Sequence, residues 1–302
     1  MDKLLVTGDY GMVGSSIPCD FKFRSKDVDL TDFHKTLKYF KENKPTKVIH
    51  CAGKIGGVGA NSTKKGEFLY KNVKINTNTI EASRLINVKK LVCILSTCIF
   101  PDNASYPLTS DQIHKGEPHP SALGYSYSKR IAEVQIRTYR EQYNTNYVSL
   151  VPCNIYGPND NFILDQCHVV PSLIHKCYLA KKHNTEFKIW GDGKSLREFI
   201  YSKDIGKVSL WALENYNSGT PLIISPSQEV SIQELSETIA KIMGYKGSIK
   251  YDTTKPSGQH RKPSDNSKFK ELCPNFEYTP LEEGLEETIN FFINNYDRGI
   301  RR

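Results

Sequence analysis

Residues 3–14 read Lys3-Leu4-Leu5-Val6-Thr7-Gly8-Asp9-Tyr10-Gly11-Met12-Val13-Gly14, an apolar strand running directly into a turn with glycine at every third position. That spacing, immediately after a strand and ahead of a helix, predicts a pyrophosphate-binding turn. Glycines let the backbone approach phosphate oxygens, and a helix start offers N–H groups at the positive end of its dipole. A tight strand–helix turn with no ligand is the alternative that these residues alone leave open.

Outward from this turn the first half of the chain alternates short apolar runs with amphipathic ones. Residues 3–7, 47–51, 91–95 and 147–152 read as strands, and residues 63–86 and 125–143 carry apolar side chains at helical spacing. Alternation of this kind predicts a parallel sheet covered on both faces. Past Gly157-Pro158 the pattern changes: 169–180 reads as a helix, 187–190 as a short strand, and Gly191-Asp192-Gly193 as a turn. Residues 199–208 and 221–224 are expected to return to the sheet. Residues 231–242 form a helix with Ser231 as N-cap and Glu234 three places on, and 281–295 form another. The expected fold is α/β: a Rossmann-like doubly wound parallel sheet with a smaller, discontinuous α/β substrate lobe. Residues 1–155 and 198–228 are assigned to the nucleotide-binding domain, and 156–197 and 229–302 to the lobe. No Gly, Ser or Pro-rich linker parts them, so a cleft between joined bodies is expected.

Composition narrows the classes. There are 41 Lys plus Arg against 33 Asp plus Glu, a net charge of +8 that is spread along the chain rather than gathered in a block. Such an excess suits a basic surface or a polyanionic small-molecule ligand. No basic stretch interleaves with aromatics, so nucleic acid is not an expected partner. The start has no signal-peptide pattern and no run approaches a membrane span, so a cytoplasmic protein without a membrane partner is expected. The 8 cysteines show no metal-site spacing. Cys51, Cys93 and Cys153 lie in apolar runs and read as reduced core residues, and no metal is expected.

Two further stretches carry chemistry. In Tyr125-Ser126-Tyr127-Ser128-Lys129 a helix places Tyr125 and Lys129 on one face, where the ammonium is expected to lower the phenol pKa. A phenol tuned in this way is a proton donor for a carbonyl reduced by hydride. Ser96-Thr97-Cys98 ends a strand, and alternation is expected to turn Ser96 and Cys98 toward the cleft together. Arg24-Ser25-Lys26 follows the expected second strand, where an acid would favour NAD; positive charge suits the 2′-phosphate of NADP, with Asp29-Leu30 near the adenine.

Together these stretches resemble the extended short-chain dehydrogenases and, within them, the GDP-L-fucose synthase family of GDP-4-keto-6-deoxy-mannose 3,5-epimerase-4-reductases. The likeness runs through Gly11-Met12-Val13-Gly14-Ser15, Lys54-Ile55-Gly56-Gly57, Ser96-Thr97-Cys98-Ile99-Phe100-Pro101, the Tyr125–Lys129 stretch, Asn154-Ile155-Tyr156-Gly157-Pro158, His168-Val169-Val170-Pro171, Trp190-Gly191, Arg197-Glu198-Phe199 and Lys255-Pro256 with Arg261-Lys262. The resemblance implies Tyr125 as general acid at the sugar C4 oxygen, Lys129 on the nicotinamide ribose, Ser96 on the carbonyl oxygen, and Cys98 with His168 as the acid–base pair for inversion at C3 and C5. It implies NADPH contacts from Gly8, Tyr10, Gly11, Met12, Val13, Gly14, Arg24, Ser25, Lys26, Asp29, Leu30, Ala52, Gly53, Lys54, Leu95, Pro152, Asn154 and Ile155. For a GDP-linked 4-keto sugar it implies Asn154, His168, Val169, Lys176, Trp190, Arg197 and Ser257. It also implies a homodimer through residues 63–86 and 125–143.

The chemistry independently requires such parts. Protons beside a ketone are acidic because the enolate spreads charge onto oxygen, and inversion needs a proton removed from one face and delivered to the other. Cysteine and histidine ordinarily titrate near about 8.5 and about 6.5, close to working pH. Bland competitors are a buried filler at Cys98, a helix-capping His168, a strand-ending Ser96, surface cations at Arg197 and Lys176, and core packing at Trp190. The chain departs from the family in its short first helix, cut at Pro18, in Lys176 where arginine is frequent, and in Ser257 where aspartate is frequent. A stand-alone C4-reductase of a GDP-4-keto hexose or heptose is the close rival. An NAD-retaining sugar epimerase or dehydratase is further off, because Thr97-Cys98 offers no acid. A non-catalytic nucleotide sensor need not keep Ser96, Tyr125 and Lys129.

Overall fold

The computed structural model describes residues 2–255 and 259–300. In chain order the elements are β1 (Leu4–Thr7), α1 (Phe33–Asn43), β2 (Lys47–His50), α2 (Val58–Thr63), α3 (Lys65–Leu85), β3 (Lys90–Ile94), α4 (Leu123–Tyr143), β4 (Tyr147–Pro152), β5 (Asn154–Tyr156) and α5 (Val169–His183). There follow β6 (Phe187–Trp190), β7 (Leu196–Tyr201), α6 (Ser202–Asn215), β8 (Leu222–Ile224), β9 (Glu229–Ser231), α7 (Ile232–Ile242), β10 (Ile249–Asp252), α8 (Ser267–Leu272) and α9 (Leu281–Asn295).

The main sheet has 5 strands in the order β1-β2-β3-β4-β8, all parallel. Strand alternation divides its side chains between two cores. Leu5, Val48, Leu91 and Val151 face α1, α3 and α4 through Phe40, Ile80, Ala132 and Ile136. Val6, Ile49, Val92 and Leu150 face α6 through Ile205, Val208 and Ala212. Both faces are covered, so the doubly wound layering expected from the alternation is present. A third core lies among α5, α7, α9 and β6, around Phe162, Leu173, Phe187, Leu235 and Phe292. Around it sit a pair β10-β6 and a three-stranded sheet β5-β7-β9. Among the described residues no helix is long and apolar enough to cross a membrane.

Three local readings need correction. The glycine turn opens only one 3-10 turn, Gly14–Ser16, rather than a helix. Pro18 cannot supply an N–H to extend it, and α6 closes in so tightly that a Cβ on Gly206 would lie 2.5 Å from Ser16 Oγ. The expected second strand shrinks to a single bridge, Leu5 with Phe21. Residues 199–208 are half strand and half helix: β7 ends at Tyr201 and α6 begins at Ser202, and β7 belongs to the small sheet. Helical spacing of Ile205, Val208 and Ala212 decides the second half. The helix expected over 63–86 is present as α3, with the short α2 set off ahead of it at Lys64 (φ −118°, ψ 34°).

Candidate active site

The C-terminal ends of the parallel strands gather the sequence-marked residues along one edge, the edge where ligands bind in open α/β sheets. At the end of β1, Gly8 has φ +75°, and a Cβ there would come 2.9 Å from the Ala52 backbone nitrogen. Only glycine allows this approach. Gly11 N–H closes the turn on the Gly8 carbonyl at 2.8 Å. Met12 is half-buried, while Val13 and Leu30 pack into the core, so only their backbones remain available to a ligand. Arg24, Ser25 and Lys26 are exposed, and the Arg24 guanidinium lies 4.7 Å from the centroid of the exposed Tyr10 ring. No carboxylate is paired with either cation among the described residues; the Asp27 carboxylate takes the Arg24 backbone N–H instead (2.9 Å). Asp29 is occupied by Thr31, whose N–H and hydroxyl hold its carboxyl below the usual range. A glycine-lined turn flanked by an unpaired arginine fits a dinucleotide that carries an extra phosphate.

Residues after β2 and β3 build the middle of the edge. Ala52 donates its N–H to Thr7 Oγ1 (3.2 Å), a Cβ on Gly53 would meet Asn72 Oδ1 at 3.1 Å, and Lys54 pairs with Glu67 at 2.6 Å. Leu95 is buried, with its N–H on the Leu150 carbonyl. Beyond it strand alternation stops, which corrects the expectation for Ser96 and Cys98. Thr97–Ile99 is a 3-10 turn, and Ser96 caps it by accepting the Cys98 N–H at 3.3 Å. Both residues remain half-buried.

On α4, Lys129 is buried, its ammonium 5.9 Å from the Tyr125 ring centroid and donating to the Ile94 carbonyl at 2.7 Å. Burial drives the Tyr125 phenol pKa upward, and the thiols of Cys98 and Cys93 push the same way. The lowered phenol expected from helix spacing is therefore not present in the protein by itself, because burial dominates. Behind the pair lies a network that the sequence reading missed. His50 is bonded by Nδ1 to Thr7 Oγ1 (2.7 Å) and by Nε2 to Asn76 Oδ1 (3.0 Å), and Asn76 Nδ2 donates to the Ser128 carbonyl. That chain of donors assigns the proton to Nε2. Burial, then the Lys129 charge, pull His50 down to about 3, so it is neutral.

His168 is the N-cap of α5 by backbone, yet its side chain makes no capping bond. The capping alternative does not hold. The segment before it is pinned by Gly57, whose N–H donates to the Gln166 carbonyl (2.7 Å) and whose missing Cβ would lie 1.9 Å from the Cys167 carbonyl oxygen. Val169 is half-buried against the third core. Pro152 ends β4 in the interior; Asn154 is exposed with Nδ2 on the Glu198 carbonyl (2.8 Å), and Ile155 is half-buried.

Farther along, Trp190 is 50% exposed, which excludes core packing. Lys176 and Lys255 lie 4.7 and 5.8 Å from its ring centroid. Burial lowers the pKa of Lys176 and of Arg197, so neither is a freely solvated surface cation. Arg197 donates to the Leu196 carbonyl at 2.7 Å and has no ion pair among the described residues. Lys262, quoted above only within a motif, proves to be its neighbour. Burial brings Lys262 down to about 8, with Arg197 adding repulsion and Cys98 and Asp102 opposing it. Two cations within electrostatic reach of each other, neither in an ion pair among the described residues, suit a diphosphate. Ser257 lies outside the described residues.

The profile of the NAD dependent epimerase/dehydratase family matches residues 4–225. The GDP-L-fucose synthase of Dictyostelium discoideum is 43% identical across 97% of this chain and 96% of its own length. The chain belongs to the GDP-L-fucose synthase family. Among solved structures, a GDP-L-fucose synthetase from Naegleria fowleri bound to NADP matches with a TM-score of 0.94 at 36% identity, covering 100% of this chain and 96% of that one. A GDP-mannoheptose C4 reductase from Campylobacter jejuni with NADP bound matches with a TM-score of 0.87 at 28% identity, over 97% and 98% of the two chains. Within this GDP-L-fucose synthase family member, Tyr125, Lys129 and Cys98 come together with Lys262 and Arg197 at one edge of the sheet. Lys176 and Trp190 form a separate stacked group. His50 and Lys262 carried no local signal beyond their residue type, since each acquires its role from partners far away in sequence.

Proposed function

We propose that the protein is an NADPH-dependent 3,5-epimerase-4-reductase of a GDP-4-keto-6-deoxy sugar, making GDP-L-fucose or a close relative. The observation that carries this reading is that the helix bearing Tyr125 bonds, through Lys129 and Arg130, the carbonyls on either side of the turn bearing Cys98, which brings a proton-transfer group within electrostatic reach of a carbonyl acid. For inversion, one of Cys98 and His168 takes the proton from the carbon beside the ketone, and the electron pair moves onto the C4 oxygen. The other delivers a proton to the opposite face, and exchange with water resets the pair. Ser96 donates to the oxygen while it carries charge. Bound NADPH supplies hydride to C4. Tyr125 gives its proton to the C4 oxygen, and Lys129 reaches the nicotinamide ribose and compensates the phenolate. Arg24 and Lys26 take the 2′-phosphate, Arg197 and Lys262 the diphosphate, and Trp190 offers a stacking face to the base.

We also infer a homodimer through α3 and α4, whose exposed apolar residues Leu69, Tyr70, Ile131 and Val134 support it. Sedimentation of the native chain and of Val134→Glu tests this. The catalytic reading is tested by NADPH oxidation with GDP-4-keto-6-deoxy-mannose, alongside NMR of deuterium uptake from D₂O at C3 and C5. Oxidation with uptake is expected. Oxidation without uptake would replace this reading with the stand-alone C4-reductase.

A further inference from the structure

The helix that carries Tyr125 also grips the turn that carries Cys98, and it does so at both ends. Lys129 Nζ donates to the carbonyl of Ile94, the last residue of β3, at 2.7 Å. The next residue, Arg130, donates from Nε to the carbonyl of Ile99, the last residue of the 3-10 turn, also at 2.7 Å. Ser96 and Cys98 lie between these two carbonyls. Arg130 Nη1 reaches the Gly116 carbonyl at 2.8 Å, tying in the segment that pairs Pro101 with Pro118.

Arg130 is only 6% exposed, and its Nη2 has no hydrogen-bond partner among the described residues. No carboxylate pairs with it among the described residues; besides the two carbonyls it has the Tyr127 ring, 5.5 Å away. A buried guanidinium held only by neutral groups is unfavourable, since its desolvation is not repaid by a counter-charge. An apolar side chain would pack here at less cost. The retained charge therefore points to a partner that becomes negative. Around the turn the ionisable groups are Tyr125 from α4, Cys93 from β3, Lys262 from the segment 259–265, and Asp102, which acts on Lys262. Apart from Tyr127, the group that acts on the Arg130 charge is Cys98.

We propose that Arg130 is a positioning residue for proton transfer at Cys98, holding the turn in register with Tyr125 and compensating the thiolate that exists whenever sulfur is without its proton. This rests on the reading of Cys98 given under Proposed function. When the thiolate takes a proton from the carbon beside the ketone it becomes a thiol, and the pair of electrons goes to the C4 oxygen. In the reverse sense the thiol delivers its proton and the negative charge returns to sulfur. Either way the charge on sulfur alternates next to a fixed cation.

The test compares Arg130→Met and Arg130→Lys with the native protein. Three quantities are read: deuterium uptake at C3 and C5, NADPH oxidation with an already epimerised 4-keto sugar, and iodoacetamide alkylation of the Cys98 peptide by mass spectrometry. The methionine variant should lose about tenfold in the kcat of exchange and in alkylation rate, the lower end for removing an adjacent opposite charge. KM and the reduction of the epimerised sugar should stay near native. The lysine variant, which keeps the charge but not the fork, should recover part of both losses and remains informative if the methionine variant does not fold. Native alkylation and exchange in the methionine variant would overturn the proposal, as would equal loss of exchange and reduction in both variants. Absence of exchange in the native protein would overturn the epimerase reading instead, while the alkylation arm would still decide whether Arg130 acts on Cys98.

Discussion

Gly57→Ala tests whether packing between two loops sets the position of His168. The added Cβ would lie 1.9 Å from the Cys167 carbonyl oxygen and 3.5 Å from the His168 nitrogen, whereas ordinary contact begins at 3.4 Å. The obstacle is backbone, so the Cys167–His168 segment must retreat by about 1.5 Å, stretching the 2.7 Å bond from Gly57 N–H to Gln166. A displacement of roughly 1 Å in a reacting group costs about a hundredfold. Exchange of the C3 and C5 hydrogens is therefore expected to fall by about that factor. Reduction of an already epimerised sugar should fall much less, because Tyr125, Lys129 and Ser96 lie on α4 and after β3, outside the disturbed contact. The assay is the initial rate of deuterium uptake by NMR against the rate of NADPH oxidation, with thermal unfolding run on both proteins. Native exchange in a folded Gly57→Ala protein would refute the reasoning, and so would equal loss of both activities.

Cys98→Ser should abolish exchange while sparing hydride transfer to an epimerised sugar, since a hydroxyl is far too weak an acid to serve; unchanged exchange would make the cysteine structural. Tyr125→Phe should lower kcat for reduction with cofactor binding and exchange retained; reduction at the native rate would remove the phenol from the mechanism. The native protein should prefer NADPH to NADH, and replacing Arg24 and Lys26 by acids should weaken NADPH much more than NADH; equal use of both cofactors by the native protein would contradict the 2′-phosphate assignment. His50, held at about 3 against an ordinary 6.5, makes the unfolded chain the better proton binder between those values. Its contribution to stability is complete above the ordinary value and falls by about 1.4 kcal/mol per pH unit as pH drops below it, about 2 kcal/mol by pH 5. Urea unfolding at neutral and mildly acid pH checks this, and a His50→Gln protein with the same slope would count against it.

The parts of the fold legible in the sequence are those specified over short distances. β4, β6 and α9 run as read, and Ser231 with Glu234 forms the capping box that their spacing announces. A strand followed by glycines at every third position and a tyrosine four places before a lysine are equally local, because side-chain direction along a strand or helix repeats with its period. The boundary errors share a cause. In 199–208 the apolar run Phe199-Ile200-Tyr201 is followed by Ile205 and Val208 across Ser202-Lys203-Asp204, and over so short a stretch periodicity alone does not divide them between β7 and α6. Exposure of Trp190 was likewise invisible, because an aromatic in a strand reads the same whether its face is covered or open.

What local pattern determined, then, is which residues to propose for the site; how they are arranged was decided by contacts between distant parts of the chain. Ser96 and Cys98 share a 3-10 turn rather than one face of a strand because Lys129 and Arg130, more than 30 residues away, hold the carbonyls at its two ends. His168 is placed by a carbonyl that fits only against Gly57. Arg197 and Lys262 become a cationic pair only when a strand and a distant segment fold together, and burial then changes their charge affinity. Hydrogen-bond geometry, close packing and desolvation depend on all neighbours in space, and a one-dimensional pattern carries only those along the chain.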